Sequence, residues 1–112
     1  MAGPETPLTG FLGPGAAWRG DLTFEGRLRI DGQYEGRIYS EGTLELGASG
    51  LIRGEVDVAF ARVAGTVEGH LRVRESLVVE DGGVLRGEVH AAHVRLARGA
   101  RVECKVHRIV AR

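Results

Sequence analysis

The sequence predicts an all-β fold, a single-stranded β-helix of about six coils. Short apolar residues alternate with charged ones, as in strands whose successive side chains point to opposite faces. These alternating segments recur every sixteen or seventeen residues. Glycine interrupts every window that is long enough for three turns of helix. Because one such segment cannot bury its apolar face alone, we expect the copies to stack on one another.

Composition divides the chain into three parts. Residues 1–10 contain Pro4, Pro7 and small residues without any period, so we expect a flexible N-terminal tail. The periodic pattern fills most of residues 11–110, which we assign to one β-helix domain. Residues 111–112 form its C-terminal end. A chain of 112 residues has room for one domain of this kind.

Three large apolar side chains precede the periodic region, at Phe11, Leu12 and Trp18. Residues 13–15 read Gly-Pro-Gly, which permits turns but no regular element. We interpret the three side chains as a cap over the open end of the first coil. The alternative is that Phe11 and Leu12 enter a membrane or a neighbouring subunit, although no basic cluster beside them would help to hold a membrane.

Each repeat consists of a short apolar pair, a turn, and a longer run with a small residue at its centre. The apolar pairs are Leu28/Ile30, Leu44/Leu46, Ala61/Val63, Leu77/Val79 and Val94/Leu96. The longer runs are residues 34–38, 52–56, 67–71, 85–89 and 102–106, and a further copy at residues 24–28 opens the series. Alternation predicts that the central glycine points inward with the apolar residues, while the charged residues on either side of it point outward.

The residues that flank each central position change sign from one copy to the next. From Glu35 onward, Glu, Arg, Glu, Arg and Glu precede the centre, and Arg, Glu, His, Glu and Lys follow it. In a parallel stack these side chains lie above one another, where opposite charges attract and like charges repel. Exposed pairs contribute only about 0.2 to 1 kcal/mol each, so we expect the pattern to fix register more than to add stability.

Charge and cysteine content limit the possible settings and partners. Fifteen basic and fifteen acidic residues give no net charge, so no overall field draws the protein to nucleic acid. A single Cys cannot form an internal disulfide, which fits a cytoplasmic protein. No stretch approaches the roughly 20 apolar residues of a membrane span, and the first residues lack the pattern of a signal peptide. We therefore expect a cytoplasmic location.

Few residues suggest chemistry. His90 and His107 fall in the same outward column one coil apart, and His93 lies in the turn that follows His90. A zinc site normally needs three or more oriented ligands, so we favour a structural pair and assign no metal, cofactor or catalytic residue. Cys104 replaces the central glycine of the last copy, and we interpret it as a buried, inert thiol. Residues 13–15 lack the Lys-Ser/Thr of a phosphate loop.

Several stretches resemble the opening of the bactofilin domain. They are Phe11-Leu12-Gly13-x-Gly15, then Gly20, Leu22, Phe24 and Gly26, then Leu28-Arg29-Ile30-Asp31-Gly32 and Glu35-Gly36-x-Ile38. The likeness extends over residues 9–109, although the later coils match by period more than by identity. It implies a right-handed, triangular β-helix that polymerises end to end into nucleotide-independent, non-polar filaments. The implied role is a bacterial cytoskeletal scaffold and not an enzyme, with no cofactor.

The same resemblance implies the partners and the location. The first partner is the chain itself, as a homopolymer. Other bactofilins, cell-envelope proteins and chromosome-segregation proteins are further candidates, and no direct nucleic-acid partner is expected. The filament would lie in the cytoplasm, with the inner face of the cell membrane as a candidate site. The first ten residues do not form an obvious membrane-targeting segment, so membrane attachment stays open.

The two ends of a β-helix leave backbone groups and inward side chains without partners, which makes them templates for another copy. We therefore assign the self-assembly interface to the apolar residues of the terminal coils. These are Phe11, Leu12, Leu22, Phe24, Val102, Val106, Ile109 and Val110.

Two other functions compete with self-assembly. The first is a hexapeptide-repeat-like β-helix enzyme, of the acyltransferase or zinc carbonic anhydrase type, which would form a small defined oligomer. The period of sixteen to seventeen residues disfavours it, because that class keeps a strict six-residue register. A monomeric adaptor would instead remain a single species at any concentration.

Overall fold

The computed structural model describes residues 8–108, with side chains for residues 10–103. Nine strands account for most of this part of the chain. They are β1 (Leu8–Leu12), β2 (Ala17–Phe24), β3 (Arg27–Ile30), β4 (Gln33–Ser40), β5 (Thr43–Leu46), β6 (Leu51–Val63), β7 (Thr66–Val79), β8 (Val84–Leu96) and β9 (Arg101–Arg108). Within residues 8–108, no helix is long and apolar enough to cross a membrane.

Every strand pair is parallel, and each coil pairs with the coil before and after it. One ladder runs through β1, β3, β5 and the later halves of β6, β7 and β8. The other runs through β2, β4, β6, β7, β8 and β9. The successive coils are residues 8–24, 27–40, 43–58, 60–73, 76–91 and 93–108. This is a β-solenoid of six coils, which confirms the predicted fold class.

The core is a set of columns in which apolar side chains stack from coil to coil. Ile30 and Leu46 continue into Val63 and Val79 along one side of the solenoid. Ile38, Val56, Leu71 and Val89 continue along another. All eight are almost completely buried. Because each column lies inside the hydrogen-bonded coils, burial of these groups is the main favourable term that holds the stack together.

The first copy of the repeat differs from the prediction. Strand β2 places Gly20 beside Gly36, so the first long run is residues 18–22 and not residues 24–28. Gly26 lies instead in the short bend between β2 and β3 and has φ +87°. The two segments have the same spacing of apolar and charged residues around a glycine, which is why alternation alone chose the wrong one. Strand β1 begins at Leu8, ahead of the boundary that we placed at residue 11.

The central glycines do not point inward, which corrects the second part of the repeat analysis. They stand in register as a single glycine column, formed by Gly20, Gly36, Gly54, Gly69 and Gly87. All five have φ between +110° and +133°. A Cβ on Gly36, Gly54, Gly69 or Gly87 would lie 2.0 to 2.2 Å from the carbonyl oxygen of the glycine one coil below. The missing side chain therefore faces along the stack, toward the neighbouring backbone, and glycine is required by close approach as well as by φ.

Cys104 is in register with Gly87 at the end of this column. The interpretation of Cys104 as a buried, inert thiol stays a prediction, although the glycines of this column do not face the interior. The side chain of Cys104 lies outside the described residues.

Tyr34 joins the core to the first coil. Its ring is buried, and its hydroxyl oxygen lies 2.6 Å from the carbonyl oxygen of Gly20 and 3.0 Å from that of Arg37. Burial raises the pKa of the Tyr34 phenol, and the negative charge of Asp21 raises it further. The neutral phenol is therefore the form that the folded state favours.

We expect Gly87→Ala to be much more destabilising than Gly82→Ala. Both glycines have positive φ, so alanine at either position costs about 1 to 2 kcal/mol of backbone strain. At Gly82 the nearest atom to the new Cβ is 3.9 Å away, whereas at Gly87 it is 2.1 Å away. The Gly87 variant should therefore lose at least about twice as much free energy of unfolding. Equal losses in chemical unfolding would show that close stacking of the glycine column is not required.

We expect Tyr34→Phe to cost about 0.5 to 1.5 kcal/mol at neutral pH, because the variant loses the hydroxyl contacts with two carbonyl groups. The raised pKa means that the folded state holds the phenolic proton more tightly than the unfolded state. Wild-type stability should therefore decrease as the pH rises above about 10, the unfolded value. Unfolding between pH 7 and pH 11 should show a smaller decrease for the variant. Parallel decreases would contradict this role of Tyr34.

Candidate assembly interface

The first coil leaves apolar side chains without a neighbour on one side. Leu12 and Leu22 are half-buried, and Trp18 is 53% exposed. Their partners in the next coil are all buried, at Ile30, Tyr34 and Ile38. The apolar columns of the core thus end at the N-terminal face of the solenoid with partly exposed members.

The last coil shows the same feature at the opposite face. Val94 is 39% exposed and Leu96 is 52% exposed. They are in register with Leu77 and Val79, which are 0% exposed. Val102, which follows them in β9, is half-buried against the core. Both end faces therefore present the inner columns of the solenoid.

The predicted interface residues near the N-terminus do not all lie at the end face. Leu12 and Leu22 do. Phe11 is 57% exposed, but it stands in the outward column of Arg29 and so lies on the side of the solenoid. Phe24 is buried in the core, in register with Ser40.

Of the predicted C-terminal residues, Val102 lies at the end face as described above. Val106 belongs to β9 and is in register with Val89, which is buried. Its side chain lies outside the described part of the chain, and so do Ile109 and Val110 as whole residues.

Sequence reasoning did not assign Trp18, Val94 or Leu96 to the interface. The apolar pair Val94/Leu96 has the same pattern as the buried pairs before it, so only its place as the last member of its columns distinguishes it. The interpretation of Trp18 as a cap predicts a covered ring, whereas its 53% exposure shows that this chain covers the ring only in part. A position as the first or last member of a periodic column is the signal that could have identified all three.

Two columns of charged residues flank the glycine column. The column before it contains Arg19, Glu35, Arg53, Glu68, Arg86 and Glu103. The column after it contains Asp21, Arg37, Glu55, His70, Glu88 and Lys105. With the first copy corrected to residues 18–22, Arg or Lys alternates with Asp or Glu at every step of both columns except at His70. The predicted alternation is confirmed by the register.

The ion pairs in these columns join consecutive coils. Arg19 Nη2 lies 2.9 Å from Glu35 Oε1. Glu68 bridges two arginines, with 3.1 Å from its Oε1 to Arg53 Nε and 3.1 Å from its Oε2 to Arg86 Nη1. The side chains are substantially exposed, so each pair contributes at most about 1 kcal/mol. If one coil shifted its register relative to the next, several attractive charge pairs would become repulsive ones. The two columns therefore specify how consecutive coils align.

Of the histidines with described side chains, His70 and His93 are exposed and His90 is half-buried. His90 and His107 are in register, as expected. The Nε2 atom of His90 lies 3.8 Å from Glu88 Oε1. His93 belongs to β8, in register with Ser76, and is not in a turn. Among the residues with described side chains, no group of three or more His, Cys, Asp or Glu is placed to hold a metal ion.

The chain is similar to known proteins of one family. The family model described as "Bactofilin: Polymer-forming cytoskeletal" matches residues 10–107. The chain is also similar to the solved structure described as a cryo-EM reconstruction of Thermus thermophilus bactofilin double helical filaments. That match has a TM-score of 0.77 and 28% sequence identity, and it covers 86% of this chain and 97% of the other. No curated protein sequence matches the chain.

Proposed function

The chain belongs to the bactofilin family of polymer-forming cytoskeletal proteins, and we propose that it assembles end to end through its terminal coils. The observation that carries this proposal is the exposure of the inner columns at both faces. Trp18 at one face and Leu96 at the other are about half exposed, whereas the members one coil inward are buried. Contact with a second copy would remove this apolar surface from water.

Backbone geometry supports the same contact. A terminal coil of a parallel stack has a row of N–H and C=O groups that faces no neighbouring strand, and such an edge can pair with another chain. The interface that we propose comprises the residues found at the two faces together with those predicted from the sequence. These are Leu12, Trp18 and Leu22 at one end, and Val94, Leu96, Val102, Val106, Ile109 and Val110 at the other, without Phe11 on the side of the solenoid and Phe24 in its core.

We propose further that the filaments are non-polar and need no nucleotide. Their assembly energy comes from burial of apolar groups and pairing of strand edges, neither of which consumes a cofactor. The filament would act as a scaffold in the cytoplasm or at the inner face of the cell membrane. Other bactofilins, cell-envelope proteins and chromosome-segregation proteins remain candidate partners. The family description is structural, so we propose no enzymatic activity.

Electron microscopy of the purified protein is the direct test of assembly. We expect filaments in buffer that contains neither nucleotide nor divalent metal, and we expect treatment with apyrase and EDTA to leave their number and length unchanged. A defined trimer, or a monomer at every concentration, would contradict the proposal. Filaments that disappear after apyrase treatment would contradict nucleotide independence.

We expect Leu96→Arg to prevent assembly while the solenoid stays folded. Leu96 is already 52% exposed, so the single chain tolerates a charge there, but a joint would have to bury it. Burial of an unpaired charge costs several kcal/mol. The matched control is Ala48→Arg, at an exposed turn on the side of the solenoid. Sedimentation should show filaments for the control and none for Leu96→Arg, and equal assembly of the two would exclude Leu96 from the joint.

A further inference from the structure

One corner of the solenoid is formed by the turns that join one ladder to the other. The turns of consecutive coils are linked by backbone hydrogen bonds. The amide of Gln33 donates to the carbonyl oxygen of Ala16 at 2.9 Å, and the amide of Arg101 donates to that of Gly83 at 2.8 Å. A single edge therefore runs along the stack, which we call the turn edge. It consists of residues 13–16, 31–32, 47–50, 64–65, 80–83 and 97–100.

Apolar groups are exposed at the N-terminal end of the turn edge. Phe11 lies just before the first turn and is 57% exposed. Pro14 is exposed within that turn, and Ala17 is exposed directly after it. Because Phe11 stands in an outward column, an end-to-end joint does not cover its ring. The exposure of Phe11 is therefore not explained by the proposed assembly.

Three arginines surround the last turn of the same edge. Arg95 precedes this turn, Arg98 lies within it and Arg101 follows it, and all three are exposed. The Nε atom of Arg101 lies 3.6 Å from Glu103 Oε2, but the arginine side chain is still 70% exposed. The two ends of the turn edge are about 24 Å apart, at about 4.8 Å per coil. One edge thus carries an aromatic group at one end and a basic group at the other.

The basic end is a local excess of charge in a chain without net charge. The coil of residues 93–108 contains five basic residues and one acidic residue, whereas the coils of residues 8–91 contain nine basic and thirteen acidic ones. Arg62 shares the outward column of Arg95, and its Nη2 atom lies 2.6 Å from Glu80 Oε2. Arg95 is instead in register with Val78, which offers it no carboxylate. The last turn can therefore attract an anionic surface.

The other bend of the coils has the opposite charge. Glu25 lies between β2 and β3, Glu41 lies between β4 and β5, and Glu75 lies within β7. All three are exposed, and the side chain of Glu41 is 83% exposed. An anionic surface is repelled from this bend and attracted to the last turn of the turn edge. The charges thus select which edge of the solenoid approaches such a surface.

The middle of the turn edge permits close approach to a flat surface. Ala48 and Ser49 are exposed in one turn and Gly82 in another, so short side chains separate the two ends. A convex edge of this kind fits a plane, whereas duplex DNA is read by elements that enter its grooves. Apolar groups together with basic groups are the combination that holds a protein at an anionic lipid interface.

We infer that the turn edge binds the surface of an anionic phospholipid bilayer. Phe11 enters the interface, and Arg95, Arg98 and Arg101 contact lipid phosphate groups. The inference rests on the proposed filament at the inner face of the membrane and adds the surface that makes the contact. Phe11 has no basic cluster near it in the sequence, but the stack places one on the same edge. A filament has one such edge per subunit, so weak contacts add along its length.

Flotation of assembled protein with vesicles tests this contact. Vesicles of equal parts phosphatidylglycerol and phosphatidylcholine should carry filaments up a density gradient, and vesicles of phosphatidylcholine alone should not. The triple variant Arg95→Gln, Arg98→Gln and Arg101→Gln should need about a hundredfold more lipid, because each basic group near an anionic surface contributes about fivefold. Phe11→Ala should need about tenfold more, because it loses the apolar contact.

Matched controls remove the same groups from other parts of the surface. The triple variant Arg37→Gln, Arg53→Gln and Arg72→Gln has the same net charge as the first triple variant, and its three positions are also exposed. Tyr39→Ala removes a ring that is 43% exposed on another face. Both controls should float like the wild type. Thermal unfolding and electron microscopy check that every variant folds and assembles. Equal weakening of the two triple variants would show that net charge governs binding, which would overturn the inference.

Asp81 provides a test in the opposite direction. It is an exposed acidic residue on the turn edge, and its carboxylate lies against Gly99 in the last turn. An anionic surface that approaches this turn is repelled by it. Asp81→Asn should therefore lower the lipid needed for flotation by about fivefold. An unchanged lipid requirement would place the bilayer away from the last turn and contradict the inference.

The remaining outcomes separate the inference from the proposed function. Wild-type filaments that do not float with phosphatidylglycerol would overturn the inference and leave end-to-end assembly in place. Filaments that bind duplex DNA in place of these vesicles, with binding lost in the triple variant of Arg95, Arg98 and Arg101, would assign the arginines to nucleic acid. A wild type that forms no filaments would instead contradict the proposed function itself.

Discussion

Close stacking of backbone on backbone at the glycine column is the constraint on which the rest of the solenoid depends. At this column a side chain would occupy the space of the next carbonyl group, so each coil can rest directly on the one below. Because the distance between coils is set at this column, the remaining parts of each coil can form the hydrogen bonds of the parallel ladders. The apolar columns then meet at van der Waals distance, and the flanking charges come within reach of their partners.

The same repetition that stabilises the interior leaves the ends incomplete. Each interior coil is covered above and below, so its apolar side chains are buried and its strand edges are paired. The terminal coils have one such neighbour, and Trp18, Val94 and Leu96 are exposed as a direct result. A protein built this way needs no dedicated binding site in order to polymerise, because any end that matches the repeat can act as the next coil.

Sequence period predicted the coils well, because apolar residues that recur at a fixed interval can be buried only by stacking. Prediction from the period failed where a backbone conformation or a contact does not change the spacing of apolar residues in the sequence. Alternation assumes ordinary extended backbone, so it placed Gly87 inside, whereas φ of +110° turns that position along the stack. The Arg74 guanidinium lies 5.2 Å from the ring of Tyr39 and donates to the carbonyl of Ser40, a residue 34 positions away. No local sequence pattern indicates a contact between residues so far apart in the chain. Exposure of Leu96 likewise depends on its position in the stack and not on its neighbours in sequence.

The axial repeat of the filament is the measurement that tests end-to-end stacking most directly. Six coils at about 4.8 Å each give a rise of about 29 Å per subunit if the joints continue the stack, and about 58 Å per non-polar pair. Cryo-electron microscopy or fibre diffraction should therefore show a reflection near 4.8 Å along the filament axis together with these longer repeats. A reflection near 4.8 Å that lies across the filament axis, or a subunit rise much longer than the stack, would show that the coils do not meet end to end.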